Sequence, residues 1–263
     1  MPRVSVIIPT TIGGFPYIAR LIPSIAKEAL ANDAEIIIID NASRDNTLAY
    51  FGTQSPCDVK IIVNRINLGY AKGNNQGAAI AKGEYLLFLN NDTVCDPNLI
   101  HHMLDTFTRE ENIGVVGVRI LNDGGKLQHL GVCFTSGYVP YELGDQVGDI
   151  SPRIPLDDPR VYSIRPVPSV TGACMMIKRS VFDEVGGWNE QFINGWEDTD
   201  LVLRAREKGH SVWYNGMAVV NHKKHGSVNA GRFRFEAQNR KLYDDIWVHT
   251  NRAKDVLKGF IQG

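Results

Sequence analysis

The sequence predicts an α/β fold of the Rossmann-like type, in which a mostly parallel central sheet is flanked by helices. Two observations lead to this prediction. Apolar, largely β-branched runs recur through the first half of the chain, and segments with helical apolar spacing separate them. Strands that alternate with helices form β-α-β crossovers, and the strands of such a parallel sheet are buried on both faces, which explains why these runs are continuously apolar.

Five strands and four helices follow from these patterns in the first half. The predicted strands are VSVII (4–8), EIIIID (35–40), VKIIV (59–63), EYLLFL (84–89) and IGVVGV (113–118), and the predicted helices lie near 16–31, 44–53, 70–82 and 97–109. In sheets of this kind, ligands bind beyond the carboxyl ends of the strands. The polar residues that follow these strands are therefore the first candidates for a functional site.

The second half of the chain has a different organisation. Residues 135–169 are rich in Gly, Pro, Asp and Tyr, which predicts a long loop or a pair of hairpins. Residues 169–179 predict a strand, and residues 197–208 predict a helix that begins with acidic side chains. Two short strands, SVWYN and MAVVNH, then lead to His222, and the tail from Val228 onward is predicted to be helical.

Composition and charge exclude several classes of protein. The 263 residues include 28 Lys and Arg against 29 Asp and Glu, and this net charge of −1 provides no global field to hold nucleic acid. Four cysteines without CxxC spacing predict no zinc knuckle or redox pair and favour a reducing compartment. The chain shows no signal-like start and no apolar run near the ~18 residues of a membrane span. We therefore expect a cytoplasmic protein.

Acidic residues follow two of the predicted strands. Asp92 comes after the most hydrophobic strand, where its carboxylate could bridge a divalent cation to phosphates, although an Asx-rich turn before a helix explains the same residues. Asp40 ends another buried strand and could accept a hydrogen bond from a base imide or a ribose hydroxyl, with a helix cap as the alternative. The two acids together indicate a site more strongly than either one alone.

A glycine-rich loop enters the third predicted helix. The segment NLGYAKGNNQG (67–77) offers backbone N–H groups and the cation of Lys72 to a pyrophosphate. It matches neither the P-loop nor the GxGxxG pattern. A helix start that packs closely on the sheet is an equally good interpretation of the three glycines.

Three acids begin the predicted helix at 197–208, behind Trp196. Asp198 is the candidate general base, with Glu197 or Asp200 holding its neighbours, and simple stabilisation of the helix dipole is the competing interpretation. Trp188 and Trp196, each beside glycines, suggest a stacking platform near a carboxylate.

A histidine ends the last predicted strand before the tail. The imidazole of His222 could complete a cation site that Asp92 alone cannot hold, and the lysines that follow it could screen phosphate charge. A structural histidine in a basic turn is the alternative.

Taken as an ordered set, these segments resemble the family 2 glycosyltransferases of the GT-A fold, especially the bacterial rhamnosyltransferase-like branch that builds surface polysaccharides. The resemblance runs in family order across residues 3–227, and its matching pieces are VSVIIPTT, IIIIDNAS, NRINLGYAKGNNQGAAIAKGEYLLFLNNDT, TGACMMIKRSVFDEVGGWNEQF, WEDTDLVLRAREKG and HKKHGS.

The resemblance implies an inverting transferase that moves a sugar from a dTDP- or UDP-sugar, with dTDP-rhamnose as one option, to a hydroxyl of a glycan or lipid-linked saccharide. It further implies a nucleotide-sugar-binding half (1–119), an acceptor-binding and catalytic half (120–227) and a helical tail (228–263). The tail could dock on the inner face of the cell membrane, pack on its own domain, or join a partner subunit in a homodimer.

The resemblance also implies roles for individual residues. Asp92, the last residue of the family's DXD motif, and His222 would bind Mg²⁺ or Mn²⁺, and Asp198, the second acid of the ED motif beside Glu197, would be the catalytic base. Asn90 stands where many members carry Asp, which leaves metal dependence and donor choice open. The implied donor-binding residues are Pro9, Thr10, Asp40, Asn67, Gly69, Lys72, Asn74 and Asn91, and the implied acceptor-binding residues are Gly172, Trp188 and Trp196.

Two other functions stay open on the sequence. One is a glycosyltransferase-like binding module that has lost catalysis, which the neutral Asn90 favours and the presence of Asp92, Asp198 and His222 opposes. The other is a sugar nucleotidylyltransferase, which needs a glycine-rich loop with a basic residue directly after the first strand. That place reads PTTIGGFPY, without a basic residue.

Overall fold

One central sheet organises the chain, and a computed structural model describes residues 2–144, 153–223 and 235–261. The strands are β1 (Val4–Thr10), β2 (Ala34–Asn41), β3 (Lys60–Asn64), β4 (Tyr85–Leu89), β5 (Thr93–Cys95), β6 (Ile113–Leu121), β7 (Leu127–Phe134), β8 (Pro140–Gly144), β9 (Ile164–Pro166), β10 (Cys174–Lys178) and β11 (Ser211–His222). The helices are α1 (Phe15–Ala31), α2 (Thr47–Thr53), α3 (Tyr70–Ile80), α4 (Leu99–Thr106), α5 (Arg179–Glu184), α6 (Glu197–Glu207), α7 (Glu236–Tyr243) and α8 (Arg252–Val256).

Most strands of the central sheet run in one direction. Along the order β3-β2-β1-β4-β10-β6-β11-β5, the first four strands are parallel, and β6 and β11 are parallel to each other. Strand β10 is antiparallel to both β4 and β6, so β6 runs in the same direction as β4 and the other first strands. The predicted α/β fold with a mostly parallel sheet is confirmed, and β5, β7 and β9 add antiparallel edges.

Apolar side chains cover both faces of this sheet. On one face, β-strand residues such as Ile8 and Leu87 pack with α1 and α4, and on the other face residues such as Ile7 and Phe88 pack with α3 and α6. The strands are continuously apolar because the sheet buries alternate residues on opposite sides. Several hundred Å² of buried apolar surface on each face, at roughly 25 cal/mol per Å², is the main stabilising contribution.

The second half departs from the sequence-based expectations in three places. The stretch predicted as a loop or hairpins contains β8, a 3₁₀ turn over Pro159–Tyr162 and β9, and residues 145–152 lie outside the described ranges. Strand β7 was not predicted. The two short strands before His222 are one strand, β11, whose register shifts between Asn215 and Val219. Gly216 lies within this irregularity, and only glycine fits there, because a Cβ would meet the carbonyl oxygen of Val161 at 2.1 Å.

The C-terminal tail is helical over its described part, as predicted, and it packs on its own domain. Trp247 is fully buried, and its indole N–H donates to the Asp200 carboxylate at 2.9 Å, while Arg204 pairs with the other oxygen of the same carboxylate at 2.8 Å. Docking on a membrane or on a partner subunit stays a prediction. Among the described residues, every helix is too short or too polar to cross a membrane.

We expect Gly77→Ala to lower the free energy of unfolding by about 1–3 kcal/mol, because a Cβ there would lie 2.5 Å from Ile7 Cγ2 and 2.9 Å from Ile39 Cδ1. This contact is where α3 sits directly on β1 and β2. Denaturant unfolding would measure the change. Gly52→Ala in α2 is the matched control, since its Cβ meets nothing within 4 Å and the change should be neutral or stabilising. Equal stability of the two variants would contradict this account of the packing.

Candidate active site

The candidate site lies at the edge of the sheet where the parallel strands end. Strands β1, β2, β4 and β11 all finish there, and the antiparallel β10 begins there, because Cys174 pairs with Leu89. Main-chain and side-chain bonds connect the strand ends. The Asn90 N–H donates to the Ala173 carbonyl at 2.9 Å, and the Asn91 amide donates to Thr10 Oγ1 at 3.0 Å.

The predicted nucleoside-binding residues form a connected group at the ends of β1 and β2. The Asn67 amide donates to Thr11 Oγ1 at 3.1 Å, and Thr11 donates to the Asn41 carbonyl at 3.1 Å. Pro9 and Thr10 are the last residues of β1, one partly and one fully buried. Asp40 is buried and accepts a hydrogen bond from the Ser43 N–H at 2.8 Å, so it closes the turn after β2. The alternative in which Asp40 caps the next helix is wrong, because α2 begins at Thr47, directly after Asn46.

The start of α3 combines close packing with an amide that has unmet hydrogen-bonding capacity. Gly69 precedes the helix at φ +83°, where glycine is favoured, and its N–H donates to Asn67 Oδ1 at 2.9 Å. Lys72 is exposed. Asn74 is fully buried; its side chain lies close enough to the Tyr70 hydroxyl to act on that phenol, but neither Nδ2 nor Oδ1 has an aligned hydrogen-bond partner among the described residues. Buried polar groups of this kind are rare unless a ligand or water satisfies them.

Asp92 and His222 come together as the sequence predicted. His222 Nε2 lies 3.1 Å from Asp92 Oδ1, the two residues are only 8% and 7% exposed, and the pairing of His222 with Thr93 in β11 and β5 fixes their separation. Despite this distance, Asp92 Oδ1 has no donor aligned for a hydrogen bond. On the other side of the ring, Gln128 Nε2 lies 2.8 Å from His222 Nδ1.

The geometry of this pair fits a divalent cation for which the protein supplies only some of the ligands. A buried carboxylate oxygen without a donor is a ready ligand, and 3.1 Å is near the spacing of neighbouring ligands around an octahedral ion with bonds of about 2.1 Å. Within residues 2–144, 153–223 and 235–261, no group of three or more His, Cys, Asp or Glu could enclose a metal ion. The remaining positions would fall to water and phosphate oxygens, as is usual for Mg²⁺.

Asp198 stands at the beginning of α6 in a fixed orientation. Its Oδ2 accepts from the Gly172 N–H at 2.9 Å, its Oδ1 accepts from the Thr199 N–H at 2.7 Å, and the residue is half-buried. Glu197 is buried, and its Oε2 accepts from the Gly195 N–H at 2.5 Å, which closes the turn before the helix. These contacts confirm neither acid's chemical role, but they give Asp198 a rigid, accessible carboxylate.

Tyr70 braces the same place from α3. Its hydroxyl donates to the Gly172 carbonyl at 2.6 Å. Burial, reinforced by the charges of Glu197 and Asp198, raises the pKa of the Tyr70 phenol well above 10. A Cβ on Gly172 would lie 3.1 Å from the Tyr70 hydroxyl oxygen and 3.3 Å from Asp198 Cβ, so only glycine fits comfortably between them.

The two tryptophans do not form the predicted stacking platform. Trp188 is 2% exposed, and its ring meets those of Tyr70 and Phe88 edge-on at 5.2 and 4.9 Å, so this prediction is wrong: the indole belongs to the core beneath the site. Trp196 is half-buried, donates to Glu236 at 3.0 Å and packs against Tyr243, which ties the α6 turn to the tail. An acceptor-binding role for Trp196 or Gly172 stays a prediction.

Three residues at this site were not singled out from the sequence. Tyr70 and Asn75 lie within the glycine-rich segment, but their partners Gly172 and Trp188 are more than a hundred residues away. Gln128 lies in a strand that was not predicted. The basic turn after His222 is described only at Lys223, and residues 224–227 lie outside the described ranges.

Comparisons with family models and with known proteins show which family the chain belongs to. The family model described as glycosyl transferase family 2 matches residues 5–186, and one described as the N-terminal domain of galactosyltransferase matches residues 160–226. The O-antigen biosynthesis protein RfbC of Myxococcus xanthus is 30% identical over 87% of this chain. The N-acetylglucosaminyl-diphospho-decaprenol L-rhamnosyltransferase of Mycobacterium tuberculosis is 25% identical over 92% of this chain and 84% of its own length.

The chain spans 24% of an uncharacterised Sinorhizobium fredii protein, to which it is 30% identical over 84% of its length, and 18% of RfbC. Two solved structures share its fold. GalNAc-T7 with UDP, GalNAc and Mn²⁺ matches with a TM-score of 0.64 and 18% identity over 85% of this chain and 44% of that one. The Pyrobaculum calidifontis mannosyltransferase PcManGT with GDP-Man and Mn²⁺ matches with a TM-score of 0.60 and 16% identity. This match covers 89% of this chain and 59% of that one. The chain therefore belongs to glycosyl transferase family 2 and has the GT-A fold.

Proposed function

We propose that the chain is a metal-dependent inverting glycosyltransferase of the hexosyltransferase class. It transfers a sugar from a dTDP- or UDP-sugar to a hydroxyl of a glycan or lipid-linked saccharide in cell-surface polysaccharide synthesis. One observation carries the proposal: a half-buried, oriented carboxylate, Asp198, shares a sheet edge with the buried pair Asp92 and His222. A general base and a cation site are the two parts that a single displacement on a sugar diphosphate requires.

Residues at the ends of β1 and β2 and the start of α3 support donor recognition. We assign the nucleoside to the group containing Pro9, Thr10, Asp40 and Asn67, and the sugar diphosphate to Gly69, Lys72, Asn74 and Asn91. Asn74 supports this assignment, because its buried amide has no aligned hydrogen-bond partner besides the nearby Tyr70 hydroxyl and so keeps hydrogen-bonding capacity for a ligand. Names of relatives that include a rhamnosyltransferase support dTDP-rhamnose as one donor to test.

Asp92 and His222 would hold Mn²⁺ or Mg²⁺, and two solved relatives of the same fold contain Mn²⁺ beside a nucleotide. Bound there, the ion supplies Lewis-acid stabilisation for the charge that gathers on the leaving diphosphate. Asn90 contributes no charge, so Asp92 is the carboxylate of the NND segment. His222 contributes a nitrogen ligand whose position the β5–β11 pairing fixes.

Asp198 is the best candidate for the base among three ionisable groups that lie together. The Tyr70 phenol stays neutral at physiological pH because its pKa is raised, and Glu197 is buried against the Gly195 N–H. The Asp198 carboxylate is oriented by two backbone donors and is half-exposed. It can take the proton of an acceptor hydroxyl on the face of the sugar opposite the leaving group, which gives inversion in one step.

A catalytically inactive binding module is the second candidate, because the neutral Asn90 weakens the DXD motif. Such a module would bind a nucleotide sugar with metal and transfer nothing. The third function considered from the sequence, a sugar nucleotidylyltransferase, is opposed by the match to glycosyl transferase family 2.

We expect Asp92→Asn to abolish the metal-dependent part of nucleotide binding, with an affinity at least about tenfold weaker, because the buried cation loses its charged ligand. Calorimetric titration of UDP, dTDP and GDP with Mn²⁺, with Mg²⁺ and with EDTA would measure it. Asp123→Asn is the matched control, since Asp123 lines the surface opening beside Asp92 without belonging to the pair. An Asp92→Asn variant that binds like wild type would rule out this ligand.

We expect Asp198→Asn to bind donor nucleotide like wild type and to lose transfer by roughly 10²–10⁴-fold, the usual contribution of a positioned base. Transfer from dTDP- and UDP-sugars to lipid-linked saccharides would be followed, and NMR of the product would report its anomeric configuration. Full transfer by this variant would remove Asp198 from the mechanism. Metal-dependent binding without transfer by wild type, across the acceptors tested, would favour the inactive module.

We expect the Tyr70 phenol to ionise well above pH 10, because burial and the neighbouring acids raise its pKa. The 295-nm absorbance of wild type minus that of Tyr70→Phe would then show no tyrosine that ionises near pH 10. Ionisation of Tyr70 below pH 10 would restore it as a rival base.

A further inference from the structure

Strand β7 carries one extra residue beside the candidate cation site. In its pairing with β6, Ile120 lies opposite His129 and Leu121 lies opposite Leu127, so Gln128 has no counterpart. An extra residue in one strand of an antiparallel pair is a β-bulge, which commonly re-aims a side chain next to an active site. Here it occurs at the end of β6 that also pairs with β11 near His222.

The bulged residue reaches the histidine of the cation site. Gln128 Nε2 lies 2.8 Å from His222 Nδ1, although the two residues are 94 positions apart in the sequence. Gln128 is 3% exposed, and its Oε1 is buried without a hydrogen-bond partner among the described residues. The opposite ring nitrogen, Nε2, is the one that faces Asp92 at 3.1 Å. The amide therefore holds the ring from the side away from the carboxylate.

The amide determines where a neutral imidazole carries its proton. With Gln128 Nε2 donating to Nδ1, the ring proton is on His222 Nε2. A ring that ligates through Nε2 must instead carry its proton on Nδ1, where an acceptor has to receive it. A 180° rotation of the Gln128 amide exchanges the positions of Nε2 and Oε1. Oε1, which has no partner in the described structure, then lies beside His222 Nδ1 and can accept its proton. A carboxylate at this position could only accept from a protonated Nδ1, whereas an amide can either donate to Nδ1 or accept from it.

We propose that Gln128 is the positioning residue of His222: it fixes the ring so that Nε2 points at Asp92, and with its amide oxygen turned to Nδ1 it favours the ring tautomer that can bind a divalent cation. This inference rests on the cation site of the proposed function. It assigns Gln128 no contact with substrate. Residues that orient a ligating histidine in this way typically change metal affinity by about 10–100-fold when they are replaced.

Two substitutions separate the chemistry of this position from its shape. Gln128→Met keeps a similar length but can neither donate nor accept, and we expect it to weaken Mn²⁺ binding about 10–100-fold. Gln128→Glu can only accept, so it should bind Mn²⁺ within a few-fold of wild type or more tightly. Mn²⁺ binding would be measured by electron paramagnetic resonance with UDP, dTDP or GDP present. Gln54→Met, at an exposed position, is the control.

The ring proton gives a readout that needs neither metal nor activity. In ¹⁵N NMR of histidine-labelled protein, with His222 assigned by its loss in His222→Asn, we expect Gln128→Glu to place a proton on Nδ1. The same His222 spectrum in wild type, Gln128→Glu and Gln128→Met would overturn the proposal. This comparison stays decisive even if Gln128→Met does not fold, because Gln128→Glu alone can show or exclude the proton shift.

The Asp92→Asn variant distinguishes failure of the proposal from failure of the cation site. If Asp92→Asn loses Mn²⁺ binding and Gln128→Met retains it fully, the positioning role is overturned while the cation site stands. If neither variant changes Mn²⁺ binding, the cation site itself is wrong and the inference falls with it. The expected result is loss in both variants and retention in Gln128→Glu.

Discussion

The insertion of β10 between β4 and β6 is the constraint on which the site depends. Its antiparallel pairing joins the strands from β1 to β4 to β6 and β11 in one continuous sheet. It also brings Gly172 and Ala173, which precede β10, to the edge where β4 ends, so that Asn90 and Asp198 each bond to this short segment. Strand β10 therefore connects the segment that contacts Asp198 to the strand that precedes Asp92.

The sequence predicted the elements that depend on local pattern and missed those that depend on distant partners. The apolar runs gave β1 to β4 and their helices, and the polar residues at their ends gave Asp40 and Asp92. A shared cation site of Asp92 and His222 was one of two open interpretations of the residues themselves, because nothing local joins residues 130 positions apart, and only the resemblance to a family implied it. The bulge at Gln128 and the burial of Trp188 could not be predicted from the sequence. The first depends on the register between β6 and β7, and the second depends on side chains from other elements.

Several residues that are candidates for a chemical role also have a structural role, so the two interpretations weighed for each do not exclude one another. Asp40 caps its turn, the glycines of α3 pack on the sheet, and the acids of α6 lie where the helix dipole favours them. Asn74, Asp92 and Trp188 each retain at least one buried polar side-chain atom without a hydrogen-bond partner among the described residues. The ring of Trp188 also packs edge-on against Tyr70 and Phe88, so an unpartnered atom alone does not mark a ligand-binding residue.

The two sides of helix α6 make different contacts. Asp198 and Asp200 are two residues apart, which places them about 200° apart around the axis. One carboxylate faces the Gly172 backbone, while the other is held by Trp247 and Arg204. Because one helix carries both carboxylates, the contacts of Asp200 with Trp247 and Arg204 also restrain the turn that holds Asp198. The tail is therefore part of what fixes the position of the Asp198 carboxylate.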